Sequence, residues 1–255
     1  MIQYRSSGGR ATITIDDPER HNPMSAAAMQ GLLDATRRAV EDDEVRVIVY
    51  TGEGDRAFSA GGDLSGGFVD DALGRHAERG ALADLFRLME RGGKPTVARV
   101  NGHALAGGFG LAVACDITIC VESAKLGTTE VSVGLWPMMI SAILVRSIPR
   151  KAALDLMLTG RVIDAYEAQR VGAVSRVVAA DALDATVDEV IDGLLSASPT
   201  SYLIGKDSFA GISELGFDAA LDRLQGGLTE IALTADAAEG IDAFLSKRDP
   251  EWSGN

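Results

Sequence analysis

The stretch NGHALAGGFGLAVACD (residues 101–116), read together with AFSAGGD (residues 57–63), decides the fold class of this chain. Each stretch carries paired glycines and comes after a β-rich run, at 96–100 and 45–50 respectively. Glycine permits close backbone approach, so bare N–H groups from two such loops can converge on one carbonyl oxygen. The two stretches therefore predict an oxyanion hole built from backbone.

Strand-like and helix-like segments alternate around these loops. Residues 11–15 read as a strand, and Ser25 is a candidate N-cap for a helix with apolar residues at helical spacing between Met29 and Val40. This alternation predicts an α/β fold with stacked sheets. After Pro137 the pattern becomes mostly helical and includes one long helix over 217–245.

Two irregular stretches mark candidate boundaries. Residues 63–80 contain four glycines and weak periodicity, which predicts a mobile loop or irregular helix over a site. The break SASP at 196–199 predicts a boundary between a core domain, 1–198, and a C-terminal helical region, 199–255.

Composition narrows the classes of partner. The chain has 255 residues and a formal net charge of −13, which argues against nucleic acid, because phosphate neutralisation needs a basic face. No stretch approaches the roughly 20 apolar residues of a membrane span, and residues 1–5 do not resemble a leader. We therefore expect a cytoplasmic protein that contacts no membrane. Cys115 and Cys120 are expected to be buried thiols, and no metal site is predicted.

One competing motif lies between the strand 47–50 and the first glycine loop. GEGDRA (residues 52–57) matches G-x-G-x-x-A, the fingerprint of dinucleotide binding. The fingerprint requires a helix to begin at once, and FSAGG (residues 58–62) does not read as one. An NAD-dependent oxidoreductase therefore stays a distant alternative.

The motifs together resemble the enoyl-CoA hydratase/isomerase family, also called the crotonase superfamily. The resemblance runs through nearly the whole chain in order, and the segments that carry it are 17–18, 22–24, 47–52, 57–63, 95–116, 127–137, 158–160, 165–174 and 243–248. It implies a ββα spiral core with C-terminal helices that form a homotrimer, or a hexamer as a dimer of trimers. It also implies an acyl-CoA thioester substrate, so that coenzyme A enters with the substrate and no separate cofactor is expected.

The resemblance also implies the site residues. The two oxyanion donors fall on the backbone N–H groups of Ala60 and Gly107. Family hydratases use two glutamates, of which one position falls on Glu130 and the other on Gly110, which has no side chain. The residues assigned to the acyl pocket are Gly61, Gly108, Gly110, Trp136 and Met138. For Trp136 and Met138, packing at the start of a helix is an equal alternative.

Coenzyme A needs basic groups near the first loop. By family position these are Arg20 and His21, and Lys247 would reach a coenzyme A bound to a neighbouring subunit. His103 is more simply a loop residue than a ligand.

A lone carboxylate above an oxyanion hole favours one reaction. It can remove a proton α to a thioester and return it at another carbon, which is a Δ3–Δ2 double-bond shift of the kind found in fatty acid metabolism. Syn hydration is harder with one carboxylate, because water must be both deprotonated and held. Hydratase (lyase) activity and a non-catalytic acyl-CoA-binding role stay open as alternatives.

Overall fold

Two β-sheets with helices packed around them form the fold in the computed structural model, which describes residues 1–65, 70, 73 and 75–255. The strands are β1 (Ile2–Ser7), β2 (Arg10–Ile15), β3 (Val47–Gly52), β4 (Ala57–Ser59), β5 (Thr96–Val100), β6 (His103–Leu105), β7 (Ile117–Val121), β8 (Lys125–Gly127), β9 (Val162–Asp164) and β10 (Arg176–Val178).

The helices lie between the strands and, after β10, follow one another to the end of the chain. They are α1 (Ala26–Glu41), α2 (His76–Arg91), α3 (Gly107–Ala114), α4 (Met138–Ser147), α5 (Arg150–Thr159), α6 (Ala165–Arg170), α7 (Leu183–Leu195), α8 (Pro199–Phe209), α9 (Phe217–Ala232) and α10 (Ala235–Ser246). Short 3-10 turns occupy Pro18–Arg20, Glu130–Val133, Ala180–Ala182 and Ile212–Glu214.

The two sheets are mostly parallel, as alternating strands and helices predict. The larger sheet has the strand order β1-β2-β3-β5-β7-β10, in which only the pair β1–β2 is antiparallel. The smaller sheet has the order β4-β6-β8-β9, in which only β8–β9 is antiparallel. The predicted α/β class is confirmed.

Helix α1 shows how local sequence produces these elements. The Ser25 hydroxyl accepts a hydrogen bond from the Ala28 N–H at 3.2 Å, so the predicted N-cap is confirmed. Leu32 and Leu33 bury the apolar face of the helix, and the Thr36 hydroxyl bonds the Tyr50 hydroxyl in the core at 2.9 Å. Strand β3 beneath it is buried at every residue.

The structure corrects two expectations about elements and confirms a third. The long helix over 217–245 is two helices, because Thr234 caps α10 by accepting from the Ala237 N–H at 3.1 Å. The segment 52–57 leads into strand β4 and not into a helix, as expected, which removes the structural context that the dinucleotide fingerprint requires. The predicted loop 63–80 becomes helical from His76, and part of it (66–69, 71, 72 and 74) lies outside the described residues.

Asp236 at the start of α10 joins the C-terminal helices to the last residues of the chain. Its carboxylate is buried and accepts hydrogen bonds from the hydroxyls of Ser198 and Thr200, at 2.8 Å each. It also accepts from the N–H groups of Ser253 and Gly254. The boundary expected near 198 stays a prediction. No helix in the described part of the chain has the length and hydropathy that crossing a bilayer requires.

Candidate active site

Three neighbouring parallel strands of the smaller sheet deliver the predicted site residues to one place. Strand β4 is followed by the first glycine loop, β6 by the second, and β8 by the segment that ends in Glu130. The carboxyl ends of parallel strands lie at the same edge of a sheet, and open α/β sheets bind ligands there. The two glycine loops and Glu130 therefore meet because β4, β6 and β8 are adjacent.

The two loops approach each other so closely that glycine is required. Gly61 has φ +89°, and a Cβ there would lie 2.6 Å from the Ala106 Cβ and 3.1 Å from the Gly107 nitrogen. A Cβ on Gly107 would lie 3.9 Å from the Gly62 nitrogen. The backbone of residues 61–62 is thus packed against the start of helix α3.

The N–H group of Ala60 is not available as an oxyanion donor, contrary to the prediction. It donates to the His21 carbonyl oxygen at 2.9 Å. Gly62 and Gly107 both line the cavity at this edge, and within the described residues neither N–H group has a hydrogen-bond partner. The structure thus makes Gly62 the candidate donor in place of Ala60, while Gly107 stays as predicted.

Helix α3 begins at this point with its first residue, Gly107. The residue before it, Ala106, adopts φ +49°, a conformation that residues with a Cβ rarely accept. Of the first helical turn, Gly107 with its unpaired N–H group lines the cavity, and the helix dipole adds partial positive charge there. An oxyanion placed here is favoured by both effects.

Glu130 begins the 3-10 turn that follows β8 and lines the same cavity. It is the only carboxylate among the described lining residues. Its Oε2 atom is buried and has no hydrogen-bond partner in the described structure. Burial raises the pKa of Glu130 above its ordinary value, because the ionised form loses solvation, and a hydrogen bond from its own backbone N–H offsets only part of that loss. A carboxyl group with a raised pKa suits both the removal and the return of a proton near neutral pH.

The cavity has a volume of about 680 Å³ and a mostly apolar wall. The described apolar side chains in the wall are Met24, Met29, Ala60, Leu64, Leu82, Ala106, Val133, Leu135, Trp136, Pro137, Met138, Met139 and Ile140, and the polar ones are Arg79, Thr129, Glu130 and Ser132. Trp136 and Met138 line this cavity, and Trp136 also packs against the hydrophobic core, so their assignment to an acyl pocket stays a prediction. An apolar wall of this kind suits an acyl chain.

Three glycines that were assigned to the acyl pocket do not line it. Gly61 is covered by Ala106, and a Cβ on Gly108 would lie 2.7 Å from the Ser59 Cβ. A Cβ on Gly110 would overlap Cγ2 of Ile140 and lie 2.6 Å from its Cβ. These glycines are needed for packing, and Ile140 supplies the wall where Gly110 was expected.

The residues predicted to bind coenzyme A are dispersed. Arg20 lies against the first loop and forms an ion pair with Asp63 at 2.8 Å. Hydrogen bonds from Ser65 and Arg20 lower the pKa of Asp63 to about 2. His21 follows the 3-10 turn Pro18–Arg20 in left-handed conformation, and Lys247 is the residue after the end of α10. Neither lines the cavity. All three assignments stay predictions.

Other candidate ligands have structural roles. His103 is exposed, and its Nδ1 accepts from the Lys125 N–H at 3.1 Å. Cys115 and Cys120 are buried free thiols, as expected, and burial raises the pKa of Cys120 to about 12. The described residues contain no group of three or more His, Cys, Asp or Glu placed to hold a metal ion.

Comparison with known proteins gives one consistent family. The family model described as "Enoyl-CoA hydratase/isomerase" matches residues 5–255. A Thermus thermophilus protein named "Putative enoyl-CoA hydratase" is 37% identical over 99% of this chain and 100% of its own length. Carnitinyl-CoA dehydratase of Citrobacter koseri is 31% identical over 99% of this chain and 98% of its own.

Solved structures agree with this result. The crystal structure of an enoyl-CoA hydratase from Mycobacterium smegmatis superimposes with a TM-score of 0.94 at 29% identity, over 98% of each chain. The match confirms the predicted spiral-core fold class, while trimerisation through the C-terminal helices stays a prediction.

Proposed function

Because the chain belongs to the enoyl-CoA hydratase/isomerase family, we propose that it moves a double bond within an enoyl-CoA from the Δ3 to the Δ2 position. The observation that carries the proposal is Glu130, the single carboxylate among the described cavity-lining residues, with one oxygen buried and unpaired.

The reaction needs two functions, and the site has a candidate for each. The thioester oxygen accepts hydrogen bonds from the Gly62 and Gly107 N–H groups, which stabilises negative charge as it forms. The Glu130 carboxylate removes a proton from C2, and the electron pair moves into the carbonyl to form an enolate. When the enolate collapses, the double bond forms between C2 and C3, and Glu130 returns the proton to C4. The proton is conserved, so no further reactant is required.

Hydration of a 2-enoyl-CoA is the second candidate. Relatives named hydratase and dehydratase at 37% and 31% identity favour it. Hydration requires a group that holds and deprotonates water besides the one that exchanges a proton with C2. The polar side chains that accompany Glu130 in the described wall are Arg79, Thr129 and Ser132, and the Ser132 hydroxyl already donates to the Thr129 carbonyl at 2.7 Å.

Rates with two substrates separate the candidates. Purified protein is incubated with a 3-enoyl-CoA, with formation of the conjugated 2-enoyl thioester followed by absorbance, and separately with crotonyl-CoA, with its loss followed. Isomerisation that exceeds hydration supports the proposal. Fast hydration with slow isomerisation would replace it with the hydratase alternative.

We also propose that the C-terminal helices form a homotrimer or hexamer. Large apolar side chains are exposed along this region, including Leu203, Phe209, Phe217, Leu221, Leu228, Leu233, Ile241, Phe244 and Leu245. Exposed apolar surface of this extent is typical of a subunit interface. Light scattering coupled to gel filtration measures the assembly, and a monomer would contradict it.

A further inference from the structure

The geometry points to Ile140 as a residue that determines which reaction this site performs, by keeping water from being held and activated beside the acyl chain. The inference rests on the proposed function, because it assumes enolate chemistry at the Gly62 and Gly107 N–H groups. It concerns a contact between Ile140 and Gly110, which are distant in sequence and pack side by side.

Ile140 occupies the space that a side chain on Gly110 would fill. Ile140 lies in the first turn of α4, is 3% exposed and lines the cavity. Gly110 is buried in α3, and a Cβ there would overlap Cγ2 of Ile140. Any larger side chain at 110 is excluded while Ile140 is present, and an aliphatic group faces the cavity in its place.

Among the described residues, the side chains on either side of Ile140 in the cavity wall cannot deprotonate water. Residues 135–140, LWPMMI, all line the cavity, and none of their side chains can accept a proton. A water molecule is held firmly only where two to four polar partners surround it. On this wall a water beside C3 of the substrate would lack them, so the proton held by Glu130 returns to carbon.

Hydration requires a second acid–base group, which this wall lacks among the described residues. In that reaction a water O–H bond breaks, a C–O bond forms at C3, and a proton is delivered to C2. One carboxyl group has to be a base for water while another is an acid for carbon. The inference predicts that a carboxylate placed where Ile140 now packs creates this second function.

The test compares two double variants that differ only in a carboxylate or an amide at position 110. Gly110→Glu combined with Ile140→Gly makes room for a carboxylate, and Gly110→Gln combined with Ile140→Gly places an amide of the same shape. We expect kcat/KM for crotonyl-CoA hydration to be at least about 10-fold higher for the Glu pair, since general acid–base groups contribute about 10²–10⁴. Equal rates in two folded pairs would overturn the inference.

A milder comparison decides the matter if neither pair folds. Ile140→Asp and Ile140→Asn have nearly the same shape, and only Asp supplies a carboxylate that can be a base for water. The inference expects faster hydration in the Asp variant, and equal hydration in both variants contradicts it. Fast hydration by the unaltered protein would contradict it as well.

Two different substrates test this inference and the proposed function. The proposed function is tested by isomerisation of a 3-enoyl-CoA by the unaltered protein, and failure there would overturn the isomerase proposal alone. The inference is tested by the gain of crotonyl-CoA hydration in the variants. A thermal-melting cycle on Gly110→Ala, with and without Ile140→Gly, checks the packing itself. We expect Gly110→Ala to lower the melting temperature beside Ile140 and to have little effect beside Gly at 140, since the close contacts with both Cγ2 and Cβ of Ile140 are then removed.

Discussion

Replacing Glu130 by Gln should abolish turnover and at the same time make the protein more stable at neutral pH. The amide keeps the shape of the side chain but can neither take nor return a proton. We expect turnover to fall by about 10²–10⁴, the range for loss of a general acid–base group. Binding of acyl-CoA should persist, because the Gly62 and Gly107 N–H groups are unchanged.

The gain in stability follows from the environment of the carboxyl group. Its Oε2 atom is buried without a partner in the described structure, and an unsatisfied buried polar group costs about 1–3 kcal/mol. The charged form adds to that cost. The amide leaves the same position without a partner, so the gain in stability comes only from removing the charge. Each 1 kcal/mol of that gain raises the melting temperature of a chain of this size by about 2–4 °C.

The pH dependence of this difference can be stated with its sign. Burial raises the pKa of Glu130 above its ordinary value of 4.5, so the folded state binds the proton more tightly than the unfolded state. The stability of the unaltered protein therefore falls as pH rises from 4.5 to the raised pKa. The Gln variant lacks this loss, so its advantage is absent below pH 4.5 and complete above the raised pKa.

Differential scanning fluorimetry at pH 4.5 and pH 8 measures the stability difference, and the 3-enoyl-CoA assay measures turnover. Glu122→Gln is the matched control, because Glu122 is exposed, lies outside the cavity lining and accepts a hydrogen bond from the Tyr166 hydroxyl at 3.2 Å. The control should keep both activity and melting temperature. Retained turnover in Glu130→Gln, or a lower melting temperature at pH 8, would refute the reasoning.

Four further measurements test other parts of the structure. Gly62→Pro removes an N–H donor and should lower turnover about 10²–10³-fold. Gly62→Ala keeps the donor and should be active, because a Cβ there meets none of the described atoms within 4 Å. Equal activities of the two variants would contradict the donor role. Asp236→Asn should lower the free energy of unfolding by about 1.5–3 kcal/mol at pH 7. Burial acts to raise the pKa of Asp236, but its hydrogen bonds hold it at about 2, so in urea unfolding this difference should shrink as pH falls from 3.8 towards 2. Arg20→Ala should raise KM for acyl-CoA and leave kcat unchanged, and an unchanged KM would remove Arg20 from coenzyme A binding. Leu228→Glu should dissociate the expected oligomer in light scattering, and an unchanged mass would place the interface elsewhere.

The elements that sequence predicts well are those long enough to show a period. The apolar spacing of α1 and the β-branched run of β2 each extend over enough residues to be recognised. Strands β4, β6 and β8 have three residues each, which is too short for a period to appear. These short strands bring the site together, so the loops could be predicted individually but their arrangement could not.

Two details of the site had no local signal. Whether the N–H of Ala60 or that of Gly62 faces the cavity depends on the path of the backbone. The Ala60 N–H donates to the carbonyl oxygen of His21, which is distant in the sequence. The contact between Gly110 and Ile140 joins two helices and is visible only when both are placed. Glu130, by contrast, could be predicted because a single position in a family pattern carries it.

The path of the first glycine loop also separates chemical importance from sensitivity to mutation. Gly61 supplies no group to the cavity, yet its φ of +89° and its closeness to Ala106 leave no room for any side chain. Gly62 offers an N–H group that every residue except proline also has, and a Cβ added there would meet no described atom within 4 Å. A deep mutational scan should therefore rank Gly61 as intolerant and Gly62 as permissive, although the chemistry is expected at Gly62. Reading function from such a scan would select the wrong glycine.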